Sequence, residues 1–177
     1  MSKVEGTMLH HSIEGPPDGE TVLFLHAVGI DGAMWRPFLH LLPGVRAVLI
    51  DLPGHGGSRD VPWVSLERTA DLVAEVARTV APGGAHVAAL SLGSYVGLLA
   101  LAAHPSAFRS ALLSGMHAGA MPNRRMMHVL SALMAPIATR PYFARKTAAM
   151  FGAREGEIEA FARAASRTRA AAFRRAT

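Results

Sequence analysis

The sequence predicts an α/β fold with a mostly parallel sheet, and three observations support this. Short apolar segments typical of buried strands alternate with longer segments typical of helices. The connections are short and rich in glycine and proline. Each crossover is long enough for a helix, which favours parallel strands with helices on both faces of the sheet. From residue 116 the pattern is helical only, which predicts a core over residues 1–115 and a partial helical cap over residues 116–177.

Composition restricts the class of protein. The chain has 177 residues, half of them hydrophobic, which suits one globular domain with a sizeable core. It has no cysteine, which excludes a disulfide framework, a thiolate nucleophile and a cysteine-based zinc site. The first 15 residues show no signal-peptide core, so we expect a cytoplasmic protein. The longest apolar run, residues 87–103, is interrupted by Ser91, Gly93 and Ser94 and is short for a bilayer span of about 20 residues.

Charge is unevenly distributed along the chain. Residues 1–100 contain six Lys or Arg and ten Asp or Glu, whereas residues 101–177 contain twelve and three. Such asymmetry is found in proteins that contact nucleic acid or membranes, here through the basic C-terminal helix. It also fits a compensating acidic segment outside this chain. We favour the second explanation and predict neither a nucleic-acid nor a membrane partner.

The first half of the chain contains three predicted strands and two predicted helices. The strands are expected at residues 8–14, 21–25 and 45–50, and the helices at residues 34–42 and 65–80. Ser65 is a suitable N-cap for the second helix, which is amphipathic and is stopped by Pro82 and the two glycines after it. Ligand sites in parallel α/β sheets lie at the carboxyl ends of strands. Residues 26–29, 51–58 and Ser91 are all expected there.

The segment of residues 84–103 is the most informative part of the chain. Residues 87–90 form an apolar run expected of a strand covered on both faces, and residues 95–103 are helix formers. Between them Ser91 is flanked by the small residues Ala89 and Gly93. This fits the nucleophile elbow, a strained strand-to-helix turn whose small residues let two backbones pass closely.

The last part of the chain contains one more predicted strand, residues 110–114, and then helices only. The helices are expected at residues 124–135, 141–151 and 155–175. Six of the nine methionines lie between residues 116 and 150. Methionine packs irregular apolar surfaces, so these side chains either line a pocket under the cap or form the ordinary core of the cap.

Four segments taken in order resemble the α/β-hydrolase family. They read LFLHAVGIDGAMW, VLIDLPGHGGS, VAALSLGSYVG and AAHPSAFRSALLSG, and the resemblance covers roughly residues 8–160. It implies serine-dependent acyl transfer on a small ester, lactone or related carbonyl compound, with no cofactor and no metal. Ser91 matches the nucleophile, and the backbone N–H groups of Val28 and Leu92 match the oxyanion hole. Residues 51–58 match a signature whose expected role is structural.

The acid and the base of that family follow further strands, and this sequence offers no matching positions for them. The last histidine is His128, and Glu75 is the only acid between Asp71 and Glu155. We therefore expect a C-terminally truncated chain, a bare sheet edge at residues 110–114 and little activity in isolation. His117, which follows the last predicted strand, is the nearest substitute base.

Several alternatives remain open at this stage. A serine at the turn excludes the aspartate-nucleophile branches of the family, but it leaves esterase, lactonase, thioesterase, C–C hydrolase, acyltransferase and cofactor-free haloperoxidase chemistry. A non-catalytic binding or interaction protein of the same fold is the alternative from another class. His26 and His55 are interpreted as loop residues. Surface or strand-edge positions are expected for five other histidines: His10, His11, His40, His86 and His104. No carboxylates cluster with these histidines in the sequence, so no metal site is expected.

Overall fold

Five strands form one sheet in the computed structural model, which describes residues 8–117, 129, 133, 140–150 and 155–167. The strands are β1 (His11–Glu14), β2 (Glu20–Leu25), β3 (Val45–Ile50), β4 (Ala85–Leu90) and β5 (Phe108–Ser114). Their order across the sheet is β1-β3-β2-β4-β5. Strand β1 is antiparallel to β3, and every other pair is parallel. The predicted mostly parallel α/β sheet is therefore confirmed.

Four α-helices are described: α1 (Leu66–Val80), α2 (Leu92–Ala103), α3 (Pro141–Met150) and α4 (Glu155–Arg167). Helix α1 begins as predicted, because the Ser65 side chain accepts a hydrogen bond from the Arg68 N–H at 3.1 Å. None of the described helices has both the length and the apolar composition that crossing a bilayer requires. The predicted helix at residues 124–135 lies outside the described residues except for positions 129 and 133, and so do residues 168–175 of the last predicted helix.

The helix predicted at residues 34–42 is instead a 3₁₀ helix, Gly32–Leu41. The Asp31 side chain caps it by accepting a hydrogen bond from the Ala33 N–H at 3.1 Å. Pro37 lies inside this segment and has no N–H to donate to the fourth preceding carbonyl. The proline is the physical reason for the correction, because it disfavours the α-helical hydrogen-bond pattern there.

The main core lies between one face of the sheet and helices α1 and α2. Leu23, Val48, Val73, Val87 and Val96 from both layers are almost completely buried there. A smaller cluster on the opposite face joins Phe24, Ala47 and Leu49 to the 3₁₀ helix. Helices therefore cover both faces of the sheet.

Strand β4 is less fully covered than predicted. Its residues alternate between buried positions (Ala85, Val87 and Ala89) and half-buried ones (His86, Ala88 and Leu90). The buried set faces the core that α1 and α2 cover. Among the described residues, the 3₁₀ helix covers the opposite face mainly at β2 and β3, which leaves the second side of β4 partly open.

Strand β5 forms the edge of the described sheet, as predicted. Most of its residues are exposed, and Leu112 is 72% exposed. Helices α3 and α4 pack on each other through Arg145, whose Nε and Nη2 donate to the two carboxylate oxygens of Glu159 at 2.8 and 3.0 Å. Helix α4 also packs against the 3₁₀ helix. The division into core and cap at residue 115 stays a prediction.

Candidate active site

Three loops lie at the carboxyl ends of the adjacent parallel strands β3, β2 and β4. They contain residues 26–29 after β2, residues 51–58 after β3, and Ser91 directly after β4. This edge is where parallel α/β sheets bind ligands, because the loops that leave it are free to vary while the strands hold them in place. The structure thus places all three predicted segments at one edge of the sheet.

Ser91 has the most unusual backbone conformation of the described chain. Its φ is +52° and its ψ is −112°, and no other non-glycine residue among those described has a positive φ. This region is sterically unfavourable for a residue with a Cβ atom. The Ser91 N–H donates to the Ser114 carbonyl at 2.8 Å, and the Ser91 carbonyl accepts from the Ser94 N–H at 2.9 Å. Strand β5 and the first turn of α2 therefore hold the residue in its strained conformation.

Gly93 lets helix α2 approach strand β2 closely, as the flanking small residue predicts. A Cβ atom on Gly93 would lie 2.6 Å from the Leu25 carbonyl oxygen. The Gly93 N–H donates to the His26 carbonyl at 3.1 Å, which joins the turn to the loop after β2. Any larger residue would push the start of α2, and with it Ser91, away from the sheet.

The two expected oxyanion-hole residues lie on either side of this junction. Leu92 is the first residue of α2 and is buried, and its N–H is among those that an α-helix leaves without an intrahelical acceptor. Val28 lies in the loop after β2, half-buried and packed against the main core. Both residues belong to segments that the Gly93–His26 hydrogen bond holds together.

His26 and His55 are both completely buried, which the sequence interpretation as loop residues did not predict. His26 Nε2 accepts a hydrogen bond from the Leu52 N–H at 2.9 Å, and His26 Nδ1 lies 2.7 Å from the Ala27 carbonyl. Because a backbone N–H can only donate, Nε2 must be the unprotonated nitrogen and Nδ1 must carry the proton. His26 is therefore held as one neutral tautomer.

His55, in the loop after β3, makes the same two kinds of hydrogen bond and accepts from the loop after β2. Its Nε2 accepts from the Gly29 N–H at 3.3 Å, and its Nδ1 donates to the Pro53 carbonyl at 2.9 Å. The two ring centroids are 4.9 Å apart. Each histidine thus belongs to one loop and accepts a backbone hydrogen bond from the other loop. We refer to His26 and His55 together as the histidine pair.

Burial sets the charge state of the histidine pair. It lowers the pKa of His26, against smaller opposing effects of the Ala27 carbonyl and the Asp51 carboxylate. Burial, followed by the neighbouring His26, lowers the pKa of His55 to about 3. Both rings are therefore neutral at pH 7. Nothing local in the sequence signals this pair, because each hydrogen bond joins residues 26 positions apart.

Asp51 has the structural role expected for the segment after β3. Its carboxylate accepts from the Gly32 N–H and the Gly57 N–H, both at 2.8 Å, and from His10 Nδ1 at 3.0 Å. A Cβ atom on Gly56 would lie 2.3 Å from Asp51 Oδ2, so this turn also needs glycine. The carboxylate ties together the start of the 3₁₀ helix, the turn at residues 56–58 and the segment before β1.

The sequence offered no matching position for a catalytic base, and the described residues bring none into contact with the Ser91 hydroxyl. Within residues 8–117, no histidine or carboxylate side chain forms a hydrogen bond with the Ser91 hydroxyl. The backbone of His117 is fixed by Tyr95 in α2, whose hydroxyl accepts from the His117 N–H at 2.8 Å and donates to its carbonyl at 3.3 Å. A role for His117 as substitute base stays a prediction.

Carboxylates approach three of the histidines, one carboxylate to each ring. His10 pairs with Asp51 at 3.0 Å and His104 with Asp71 at 2.8 Å, while His86 Nε2 lies 3.5 Å from Glu20. In the described ranges, however, these side chains form no group of three or more that could hold a metal ion.

Comparisons with known proteins agree with this architecture. The family model described as "Alpha/beta hydrolase family" matches residues 22–177. An AB hydrolase superfamily protein of Gibberella zeae is 32% identical over 102 residues, which cover 56% of this chain and 36% of that protein. A pimeloyl-acyl-carrier-protein methyl ester esterase of Methylococcus capsulatus is 37% identical over 102 residues, or 57% of this chain and 39% of the esterase.

A solved hydrolase structure from Pseudomonas aeruginosa PA01 superposes with a TM-score of 0.72 at 21% identity. The superposition covers 94% of this chain and 65% of the Pseudomonas chain. At 21% sequence identity, this likeness shows a shared fold alone. The matched segments cover 36% and 39% of the lengths of these two curated relatives, so the chain spans less than half of each. With most of the sequence matched by the family model and the same sheet architecture, the chain belongs to the alpha/beta hydrolase family.

Proposed function

We propose that this chain carries the nucleophile and the oxyanion hole of a hydrolase that acts on a small ester, lactone or related carbonyl compound, with Ser91 as the nucleophile. The observation that carries the proposal is the Ser91 backbone, with φ +52° at the carboxyl edge of a parallel sheet. Strain of this kind persists only where the surrounding structure over-determines it, and it is concentrated at functional sites. The position between β4 and α2 is that of a nucleophile elbow.

The chemistry follows from the groups around Ser91. The Ser91 oxygen bonds to the substrate carbonyl carbon, its proton passes to a base, and the carbonyl oxygen becomes negatively charged. The N–H groups of Leu92 and Val28 stabilise that charge, and loss of one such donor typically costs about 2.7–4 kcal/mol of transition-state stabilisation. The bond to the leaving oxygen then breaks as that oxygen takes up the proton. Water releases the acyl group from Ser91 in the same two steps.

One of the relatives supports an ester substrate. The Methylococcus relative is named for cleavage of a methyl ester, and all of the chemistry above applies to such a bond. We also propose that a small acyl substrate binds under a cap formed by residues 116–177. We further propose that the protein is cytoplasmic. We expect slow turnover by the 177-residue chain, because oxyanion and binding interactions alone leave about 10³ to 10⁴-fold catalysis over water.

The test is covalent labelling with a fluorophosphonate, followed by mass spectrometry of the labelled peptide. We expect slow labelling, in keeping with the slow turnover, that reaches one label per chain on Ser91, is lost in Ser91→Ala and is retained in Ser110→Ala. Ser110 is a matched control because it is an exposed serine whose hydroxyl lies 2.8 Å from His86 Nδ1, but it lies within strand β5 and not at a strand-to-helix turn.

Labelling that survives Ser91→Ala, or that is lost in Ser110→Ala, contradicts the assignment. An unlabelled wild-type chain favours the second candidate, a non-catalytic interaction protein of the same fold. The observation behind that candidate is that no histidine or carboxylate side chain within residues 8–117 is hydrogen-bonded to the Ser91 hydroxyl.

A further inference from the structure

The histidine pair holds the backbone on both sides of Val28. His26 Nδ1 donates to the carbonyl of Ala27, the residue before Val28, at 2.7 Å. His55 Nε2 accepts from the N–H of Gly29, the residue after it, at 3.3 Å. The peptide groups that flank Val28 are thus each fixed by one buried imidazole. Gly29 has a φ of +85°, so the loop turns sharply at the residue that His55 holds.

We propose that His26 and His55 are positioning residues that fix the loop of residues 27–29, and with it the Val28 N–H, only while both imidazoles are neutral. The inference rests on the proposed function for the role of the Val28 N–H, but the loop-fixing itself does not depend on it. An oxyanion donor must already point at the place where charge develops, because reorienting it during the reaction would cost free energy. The pair supplies that preorganisation from a second loop, the one after β3.

Neutrality is required by the direction of the hydrogen bonds. Both Nε2 atoms accept from backbone N–H groups, Leu52 for His26 and Gly29 for His55. A proton on either Nε2 would turn the acceptor into a donor and set two N–H groups against each other. With ring centroids 4.9 Å apart, a second positive charge would also be repelled by the first.

The other titratable groups near the pair do not remove this requirement. The Asp51 carboxylate favours protonation of both imidazoles, but its effect is smaller than that of burial. That carboxylate is already shared with the Gly32 and Gly57 N–H groups and with His10 of the segment before β1. Asp31 lies next to Gly56 and caps the 3₁₀ helix. The histidine pair is thus neutral in the folded protein, and protonation in acid would free the loop of residues 27–29.

The first test reads the tautomers directly in the full chain. Long-range ¹H–¹⁵N correlation spectra of the ¹⁵N-labelled protein identify which ring nitrogen carries the proton. We expect the Nδ1–H tautomer for His26 and His55 at pH 7, and we expect it to persist well below the ordinary histidine pKa of about 6.5. The Nε2–H tautomer in either ring, or titration of both rings near pH 6.5, overturns the inference.

The second test removes one acceptor and follows the loop by amide hydrogen exchange. In His55→Leu, the Gly29 amide is expected to exchange about tenfold faster than in the wild type, because a buried N–H loses its partner. In His55→Gln, the side-chain oxygen reaches the former Nε2 position and can accept, so protection is expected to stay near that of the wild type. His104→Gln, a change at a histidine bonded to Asp71 and Arg78, is the control and should leave Gly29 unaffected.

Exchange at Val76, in the buried core of α1, reports whether each variant keeps its fold. Equal Gly29 exchange in His55→Leu and wild type, with Val76 protected, overturns the inference. If His55→Leu does not fold, two results still test whether the pair fixes the loop. These are the protection of the Gly29 amide in His55→Gln relative to the wild type, and the tautomers of His26 and His55.

Fluorophosphonate labelling separates this inference from the proposed function. We expect the labelling rate of Ser91 to fall about tenfold in His55→Leu, in step with the exposure of Gly29, and to be largely restored in His55→Gln. If the wild type is not labelled at all, the proposed function fails while the exchange and tautomer results still decide whether the pair fixes the loop. If Ser91 is labelled equally fast in His55→Leu while Gly29 exchanges faster, the link from the loop to the oxyanion donor is refuted.

Discussion

Replacing Gly93 with alanine places a Cβ atom 2.6 Å from the Leu25 carbonyl oxygen and 2.8 Å from the Leu25 Cβ atom. Both atoms belong to β2, which is paired with a strand on each side and cannot yield easily. Overpacking of a well-packed site typically costs about 1–3 kcal/mol. Alanine also gains about 1 kcal/mol over glycine within a helix. Because the obstacle is a backbone oxygen, the overpacking cost should lie at the upper end of that range, so we expect Gly93→Ala to lower the free energy of unfolding by about 2 kcal/mol after this gain.

Two other helical glycines provide matched controls. At Gly97, four residues further along α2, the nearest atom to a new Cβ is the end of the Leu113 side chain, at 3.1 Å. That side chain can rotate, so Gly97→Ala should lie within about 1 kcal/mol of the wild type. At Gly156 in α4 a new Cβ meets nothing within 4 Å. Gly156→Ala should leave stability unchanged or raise it by up to about 1 kcal/mol.

Urea unfolding followed by circular dichroism measures all three variants, and equal slopes show that the same amount of surface is exposed in each. A loss of about 2 kcal/mol is large against a total stability of about 5–15 kcal/mol for a typical domain. Equal stability of Gly93→Ala and Gly97→Ala would contradict a close approach of α2 to β2 as the reason for glycine at position 93. That result would mean that β2 and α2 can separate at the turn without loss of stability, and that the glycine two residues after Ser91 has another explanation.

Two further predictions concern the loops at the same edge of the sheet. Asp51→Ala leaves the Gly32 and Gly57 N–H groups without their acceptor, which should cost about 1–3 kcal/mol of stability for each group. Asp51→Asn keeps one accepting oxygen and should lose less stability. Thermal denaturation compares the two variants, and equal melting temperatures would contradict this role of Asp51. Stability should also fall as the pH is lowered. Between pH 6.5 and about 3, His55 is protonated in the unfolded chain but not in the folded chain, because burial lowers its pKa to about 3. The free energy of unfolding should therefore fall by about 1.4 kcal/mol per pH unit from this group. His26 acts in the same direction, and a His55→Leu variant with the wild-type pH slope in urea unfolding would contradict the prediction.

Much of the fold is predictable from local patterns. The strands of the sheet, the Ser65 cap and the turn at Ser91 depend on neighbours within a few residues, which a sequence displays directly. The 3₁₀ helix is an instructive error, since Pro37 stands in the middle of the segment and its missing N–H was the available signal. The partial exposure of β4 could not be read from its apolar sequence, because coverage depends on which elements pack on each face.

The sequence by itself determined the parallel α/β sheet, the order of its loops along one edge and the serine at the strand-to-helix turn. Only the tertiary structure decided that His26 and His55 are buried and neutral and that each holds the other's loop. The physical reason is that burial and hydrogen-bond direction depend on groups brought together across 26 residues of chain, whereas the residues beside each histidine are compatible with an exposed loop.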